Sequence, residues 1–90
     1  MKRVHCIISG DVVGVGYRAW ARRLAQGLRL TGWIKNRDNK TVELVAEGEK
    51  QALEKFTASC KKGPDLAWVE NIDITWLPAS GEFFDFSVVY

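Results

Sequence analysis

The chain has 90 residues, of which 47% are apolar, and a net charge of +2. This length predicts one compact domain, residues 1–90, with a core of its own. No apolar run approaches the ~20 residues of a membrane-spanning helix, and the first residues lack the long apolar segment of a signal peptide. We therefore expect a cytoplasmic protein without a membrane partner.

The cysteines and the histidine are too few for a metal site. Cys6 and Cys60 have no C-x-x-C spacing, and His5 is the single histidine. This set does not match the ligand spacing of zinc sites, so we expect no metal. Two buried free thiols are expected for such cysteines, and a disulfide between them stays an alternative.

The charges are unevenly distributed along the chain. Residues 1–45 carry nine Lys and Arg against three acids, whereas residues 46–90 carry four lysines against eight acids. A small anionic ligand would be attracted to the first half. A solvated surface that is merely polarised is the alternative interpretation.

Apolar periodicity predicts five strands and two helices. The first helix has apolar residues at helical spacing from Tyr17 to Leu28, with Gly27 as its terminator, and the second lies between Gly48 and the stop at Lys62. In the fourth strand the apolar parity changes between Val69 and Ile72, which indicates a bulge. The predicted strands cover Val4–Ile8, Leu30–Arg37, Thr41–Glu47, Ala67–Trp76 and Phe84–Tyr90.

The order βαββαβ with a short fifth strand predicts a ferredoxin-like α/β sandwich. Strands two and three are close enough in sequence to form an antiparallel hairpin. Because crossovers are right-handed, both helices should cover one face of a mostly antiparallel sheet and leave the other partly open.

The segment from Gly10 to Arg18 lies between the first strand and the first helix. Its glycines allow successive backbone amides to point inward at an anion, next to the positive end of the helix dipole. Arg18 falls off the apolar stripe of the helix, so its guanidinium is free to bind phosphate. The sequence therefore predicts a phosphate-binding loop.

Other phosphate motifs fit this segment poorly. A Walker A loop requires Gly-Lys-Ser/Thr, and a cysteine phosphatase requires Cys where this chain has Val12. Gly14 to Ala19 resembles a dinucleotide fingerprint, but the hairpin that follows disagrees with a doubly wound sheet. Asp11 is a nucleophile in principle, but it lacks recognisable partner acids and magnesium ligands.

Two longer motifs resemble the acylphosphatase family across essentially the whole chain. The first is Gly-x-Val-x-Gly-Val-Gly-Tyr-Arg, from Gly10 to Arg18. The second runs from Gly32 to Asn36 and continues as Thr-Val-Glu at Thr41. The chain departs from the family at Val13, where Gln is usual, and at the hairpin turn, where Asn39 is expected to take the left-handed position of a missing glycine.

The resemblance implies a metal-free and cofactor-free hydrolase of small acyl phosphates. It implies that Arg18 and the loop amides hold the phosphoryl group and that Asn36 orients the attacking water. These amides are those of Val13, Gly14, Val15, Gly16, Tyr17 and Arg18. The substrate's own phosphate is expected to accept the proton of the water.

We expect a monomer that binds no nucleic acid, and two alternatives stay open. RNA-recognition domains share the βαββαβ order, and Trp33 and Trp68 are candidate stacking platforms, although no RNP-like run is present. The other alternative is an anion-binding module of the same fold that has no catalytic activity.

Overall fold

The computed structural model describes residues 1–90 as five strands and two helices. In chain order they are β1 (Lys2–Asp11), α1 (Tyr17–Gly27), β2 (Thr31–Asn36), β3 (Thr41–Gly48), α2 (Lys50–Lys62), β4 (Trp68–Pro78) and β5 (Phe86–Val89). Neither helix is long and apolar enough to cross a membrane.

The five strands form one mixed sheet in the order β4-β1-β3-β2-β5. β1 pairs antiparallel with both β3 and β4, β2 pairs antiparallel with β3, and only β5 is parallel to its neighbour, β2. This arrangement confirms the ferredoxin-like α/β sandwich and the predicted hairpin. The antiparallel β2–β3 pair also contradicts a doubly wound dinucleotide fold.

One face of the sheet carries the core. Val4 and Ile8 of β1 and Leu44 of β3 are completely buried, and they belong to one cluster with Ala21 of α1 and Phe56 of α2. Both helices therefore cover the same face, as the handedness rule predicts. The opposite face carries half-exposed residues on β1 and β2.

The end of α1 is at Gly27, as predicted, but the left-handed turn after it is made by another residue. This left-handed residue is Arg29, with φ of 58°. The chain turns there because the Leu30 N–H reaches back to the carbonyl of Ala25 at 2.9 Å. Gly27 itself has open space around it and no positive φ.

The β2–β3 turn also differs from the expectation for Asn39. Arg29 is the only residue other than glycine with a positive φ, so Asn39 does not take a left-handed conformation. The turn is held instead by the Asp38 carboxylate, which accepts the Lys40 N–H at 2.9 Å, and by the Thr41 carbonyl, which accepts the Arg37 N–H.

The predicted irregularity in β4 is present and borders the glycine-rich loop. Ser9 pairs with Asn71 and Gly10 with Val69, so Glu70 has no partner in β1. Gly10 has φ of 131°, and a Cβ there would collide with the carbonyl oxygen of Trp68. A glycine is therefore required where β1 passes this bulge.

Two predicted features near the end of the chain are wrong in detail. Phe84 was placed in the last strand, but the strand starts at Phe86 and Phe84 is 99% exposed. The fourth strand is predicted to end at Trp76, but β4 continues to Pro78, because an edge strand tolerates the missing N–H. Phe86 is buried and packs edge-on against Phe56 with ring centroids 5.8 Å apart.

Candidate active site

The glycine-rich loop connects β1 to α1 and occupies residues 12–16. Gly14 and Gly16 both have φ of 79°, a left-handed conformation that side chains with a Cβ rarely adopt. Gly16 is also the N-cap of α1, and no side chain caps the helix there. The first turn of α1 therefore presents its N–H groups to whatever binds in front of the loop.

The backbone amides of this region have no internal partners. Outside the regular elements, no backbone hydrogen bond is donated by residues 13–19, and the first is from the Trp20 N–H to the Gly16 carbonyl at 3.0 Å. Seven consecutive donors without a backbone partner, next to two left-handed glycines, are the arrangement that an anion-binding nest requires.

Both ends of the loop are fixed in the core. Val12 and Tyr17 are each only 1% exposed. The Tyr17 hydroxyl donates a hydrogen bond of 2.7 Å to the carbonyl of Cys60 on α2, and burial raises the pKa of that hydroxyl far above its ordinary range. Two buried residues therefore anchor the loop at its two ends.

The anchoring function of the Tyr17 hydroxyl is not predicted from the sequence. The helical pattern indicates only that Tyr17 lies on the apolar stripe of α1, and the resemblance implies only a role for its backbone amide. A tyrosine in place of phenylalanine at a core position of a helix is the signal for such an anchor, because a buried hydroxyl requires a partner.

Arg18 lies at the mouth of the loop. Its side chain is half-buried, and its guanidinium carbon is 4.9 Å from the ring centroid of Tyr90. None of the ion pairs of the chain includes Arg18, so its charge is available to a ligand. The loop and this arginine enclose a cavity of about 140 Å³, lined by Val12, Gly14, Gly16, Tyr17, Arg18, Ala19, Val88 and Tyr90.

Val13 is not among the residues that line this cavity. Its side chain lines a different groove, on the other flank of the loop, together with Lys40 and Trp68. The position where the sequence departs from the family therefore lines the neighbouring groove and not the cavity of the loop.

Asn36 is the last residue of β2 and lies on the helix-covered face. It pairs with Val42, which is fully buried on that face. Its carboxamide oxygen is buried and accepts no hydrogen bond from the protein. A buried acceptor without a partner costs about 1–3 kcal/mol, which is unusual for a residue with a purely structural role.

The sheet brings Asn36 and Arg18 to the same end of the molecule through β5. Lys35, which precedes Asn36, pairs with Val89, and the next residue, Tyr90, lies against Arg18. Asn36 does not line the cavity of the loop itself. It lies beside it, at the neighbouring strand end.

The other polar candidates are elsewhere. The Nε2 atom of His5 lies 2.6 Å from the Glu43 carboxylate on the open face of the sheet, and this hydrogen bond holds the pKa of Glu43 below its ordinary value. Cys6 and Cys60 are buried free thiols, so no disulfide joins them. No three His, Cys, Asp or Glu side chains are grouped as a metal site would require.

Comparison with known proteins identifies the family. The acylphosphatase family model matches residues 4–88. The chain belongs to the acylphosphatase family. The acylphosphatase of Methylococcus capsulatus is 46% identical over 89 residues, which cover 99% of this chain and 97% of that protein.

Solved acylphosphatase structures have the same fold. The acylphosphatase from Bacillus subtilis superposes with a TM-score of 0.95 at 37% identity, and the match covers 100% of both chains. The one from Coxiella burnetii gives a TM-score of 0.91 at 36% identity over 98% of this chain and 92% of the other. These acylphosphatases support the resemblance that was drawn from the two sequence motifs.

Proposed function

We propose that this chain hydrolyses the carboxyl-phosphate bond of acyl phosphates, with the phosphoryl group held by the loop amides and Arg18. Acyl phosphate hydrolysis is the activity of the family to which the chain belongs. The observation that carries the site assignment is the run of unpaired amides from residue 13 to residue 19, closed by an arginine without an ion pair.

The chemistry requires little beyond positioning and charge stabilisation. An acyl phosphate is a mixed anhydride whose leaving group is a carboxylate, so the departing oxygen needs no strong general acid. The transition state spreads negative charge over the equatorial phosphoryl oxygens, which face preorganised N–H donors and a guanidinium in this site. Arg18 binds two of these oxygens in a bidentate manner.

Asn36 is proposed to orient the attacking water. Its carboxamide, whose oxygen has no partner in the protein, is the group that we assign to hold a water in line with the leaving carboxylate. The oxygen–phosphorus bond to the acyl group breaks as the water oxygen bonds to phosphorus. The water proton passes to a phosphoryl oxygen, and the products are inorganic phosphate and the free carboxylate.

The assignment of Asn36 predicts a specific kinetic change. Asn36→Ala should lower kcat for benzoyl phosphate on the order of 100-fold and change KM by less than about threefold, because the water contact matters mainly in the transition state. Asn71→Ala is the matched control, since Asn71 is exposed on β4 and bonds only Asp73. Full activity of Asn36→Ala would contradict the role, and so would an equal loss in both variants.

We further propose that the active unit is a cytoplasmic monomer without a metal or nucleic acid. The cavity of the loop is completed by residues of one chain, and two unpaired thiols suit a reducing compartment. Trp33 on the open face is already in contact with the Lys35 ammonium, 5.3 Å from its ring centroid, which disfavours base stacking there. Activity unchanged by EDTA, a monomeric mass in light scattering and no gel shift with single-stranded RNA are the expected results.

A further inference from the structure

A second groove opens beside the cavity of the loop and shares part of its wall. The two have Ala19, Val88 and Tyr90 in common. The rest of the groove, about 350 Å³ in volume, is lined by Arg22, Arg23 and Gln26 from the following turns of α1. A ligand whose phosphoryl group is held at Arg18 can therefore extend past the Tyr90 ring into this groove.

The groove is basic, and no acidic side chain lines it. Arg22 and Arg23 are exposed, and neither belongs to an ion pair. No acidic side chain lines the groove or the loop cavity, and α1 contains no Asp or Glu. Two free guanidinium groups in such a position are suited to a carboxylate or a phosphate.

The opposite flank of the loop has a different charge. The groove there, of about 340 Å³, is lined by Asp11 and Glu70 as well as by Lys40. An anionic acyl group would meet two carboxylates on that flank and two arginines on the other. Charge therefore directs an anionic acyl group towards α1.

The geometry of α1 sets the length of the acyl group. Arg22 follows Arg18 by four residues, which corresponds to about 6 Å along the helix axis. Val88 and Tyr90 line both the loop cavity and the groove, so they form the wall that the two share. A short acyl group would contact this wall and place a terminal anion near Arg22 and Arg23.

We propose that this groove is the acyl-group subsite and that Arg22 and Arg23 select acyl phosphates whose acyl group carries a second anion, a carboxylate or a phosphate. The inference rests on the proposed function, because it takes the loop as the phosphoryl site. It adds the class of substrate: short acyl phosphates that are anionic at both ends, in preference to neutral ones.

The test uses substrates that differ only in the second anion. Benzoyl phosphate is the neutral reference, 3-carboxybenzoyl phosphate adds a carboxylate, and 3-phosphonobenzoyl phosphate adds a phosphonate. We expect kcat/KM of the wild type to favour at least one anionic substrate about fivefold, since two exposed charge contacts contribute about 0.5 kcal/mol each. The larger preference of the two identifies the anion that the subsite accepts.

Charge-removing variants connect this preference to the two arginines. The double variant Arg22→Gln/Arg23→Gln should lose the preference, because its kcat/KM should fall about fivefold further for the anionic substrate than for benzoyl phosphate. Lys55→Gln/Lys62→Gln is the matched control, because it removes two exposed charges from α2, outside both cavities, and it should keep the preference.

The outcomes separate this inference from the proposed function. A wild type that hydrolyses benzoyl phosphate but shows no preference overturns the subsite alone. A preference that survives in the double arginine variant also overturns it, and so does an equal loss on all substrates, which would indicate general attraction of anions. A wild type that hydrolyses none of the three substrates overturns the proposed function.

Discussion

Gly14 and Gly16 have a left-handed backbone conformation, and Gly27 does not. Both loop glycines have φ of 79°, and a Cβ at either position would meet no atom within 4 Å. The cost of a side chain there is therefore purely a backbone cost, about 1–2 kcal/mol for a left-handed residue. We predict that Gly16→Ala lowers the free energy of unfolding by this amount, as measured in urea titrations. It should also lower kcat/KM for benzoyl phosphate at least about tenfold, because the loop amides would turn away from the phosphate.

Gly27→Ala is the control for this prediction. Gly27 lies in α1 without a positive φ and without neighbours near its Cβ position, so alanine should raise the free energy of unfolding by about 0.5–1 kcal/mol. Activity should stay at the wild-type level. If the two alanine variants behave alike in stability and activity, the left-handed loop conformation is not what the site requires.

The sequence predicted the glycine-rich loop better than it predicted the turn after α1 and the turn between β2 and β3. A glycine-rich segment between a strand and a helix has few conformations that avoid clashes, so its residue types indicate its shape. The sequence does not identify Arg29 as the left-handed residue. The hydrogen bond from the Leu30 N–H to the Ala25 carbonyl places Arg29 in a left-handed conformation that residues with a Cβ rarely adopt. The roles of Arg18 and Asn36 stay predictions until the variants are measured.

The connection from β4 to β5 is held by one buried carboxylate. Glu47 at the end of β3 is only 4% exposed and accepts hydrogen bonds from the backbone N–H groups of Ser80 and Gly81, at 2.8 and 3.0 Å, and from Arg3 Nε at 2.6 Å. Arg3 also bonds Glu82 at 2.6 Å. These contacts fix the segment that leads to β5, and β5 carries Val88 and Tyr90 into the cavity of the loop.

Glu47 makes the free energy of unfolding depend on pH in the acidic range. Burial disfavours its charged form, but the hydrogen bonds from Ser80, Gly81 and Arg3 outweigh burial and lower the pKa of Glu47 from 4.5 to about 2. Because the folded-state pKa is below the unfolded one, the stabilisation is fully present above about pH 5 and is lost as pH falls towards 2. It amounts to about 3 kcal/mol.

We predict that Glu47→Gln loses up to this amount at pH 7 and has a flatter decline of unfolding free energy between pH 5 and 2. Urea titrations at pH 7, 4, 3 and 2 measure both effects. Glu54→Gln, at an exposed glutamate of α2 outside every ion pair, should follow the wild-type curve. A wild-type slope in Glu47→Gln would exclude this carboxylate as the source of the acid sensitivity.

Elements with a clear apolar period were predicted, and elements shaped by distant contacts were not. Alternation with the buried Val42, Leu44 and Ala46 puts Glu47 on the face of β3 opposite the core, and Glu47 is buried there because Ser80 and Gly81 bind its carboxylate. Nothing in the local pattern indicates these contacts. Phe84 was assigned to the last strand because it continues the alternation of Phe86, yet it lies outside the strand and is exposed.

The two thiols report on the folding of the whole molecule. Cys6 in β1 and Cys60 in α2 are both fully buried, and burial raises the pKa of each to about 12. At pH 8 the thiolate fraction in the folded state is therefore on the order of 10⁻⁴ or less. We predict that Ellman's reagent labels the native protein only through global unfolding and labels both cysteines rapidly in denaturing urea.

The denaturant dependence of this labelling is the informative readout. The logarithm of the rate should follow the unfolding free energy that circular dichroism gives, and destabilising Gly16→Ala should accelerate labelling of both cysteines. Rapid labelling of one cysteine in native conditions would contradict a core that opens as one unit.

The architecture as a whole followed from the sequence because strand order, short hairpin and right-handed crossovers leave few alternatives. The candidate active site could be predicted from the sequence only in part. The motifs indicated a phosphate loop, but the neighbourhood of Arg18, Tyr90 and the Arg22–Arg23 groove depends on β5 lying parallel to β2, a pairing across 50 residues of chain that no local pattern specifies.

The most direct test of the account is the hydrolysis of benzoyl phosphate by Arg18→Ala in the presence of EDTA, beside wild type and Arg29→Ala. Arg29 is exposed after the end of α1 and lines neither cavity. Arg29→Ala is therefore the matched control, because it also removes one arginine. We predict that kcat/KM falls on the order of 100-fold or more in Arg18→Ala and stays near wild type in Arg29→Ala. An Arg18→Ala protein as active as wild type would contradict the proposed phosphoryl site.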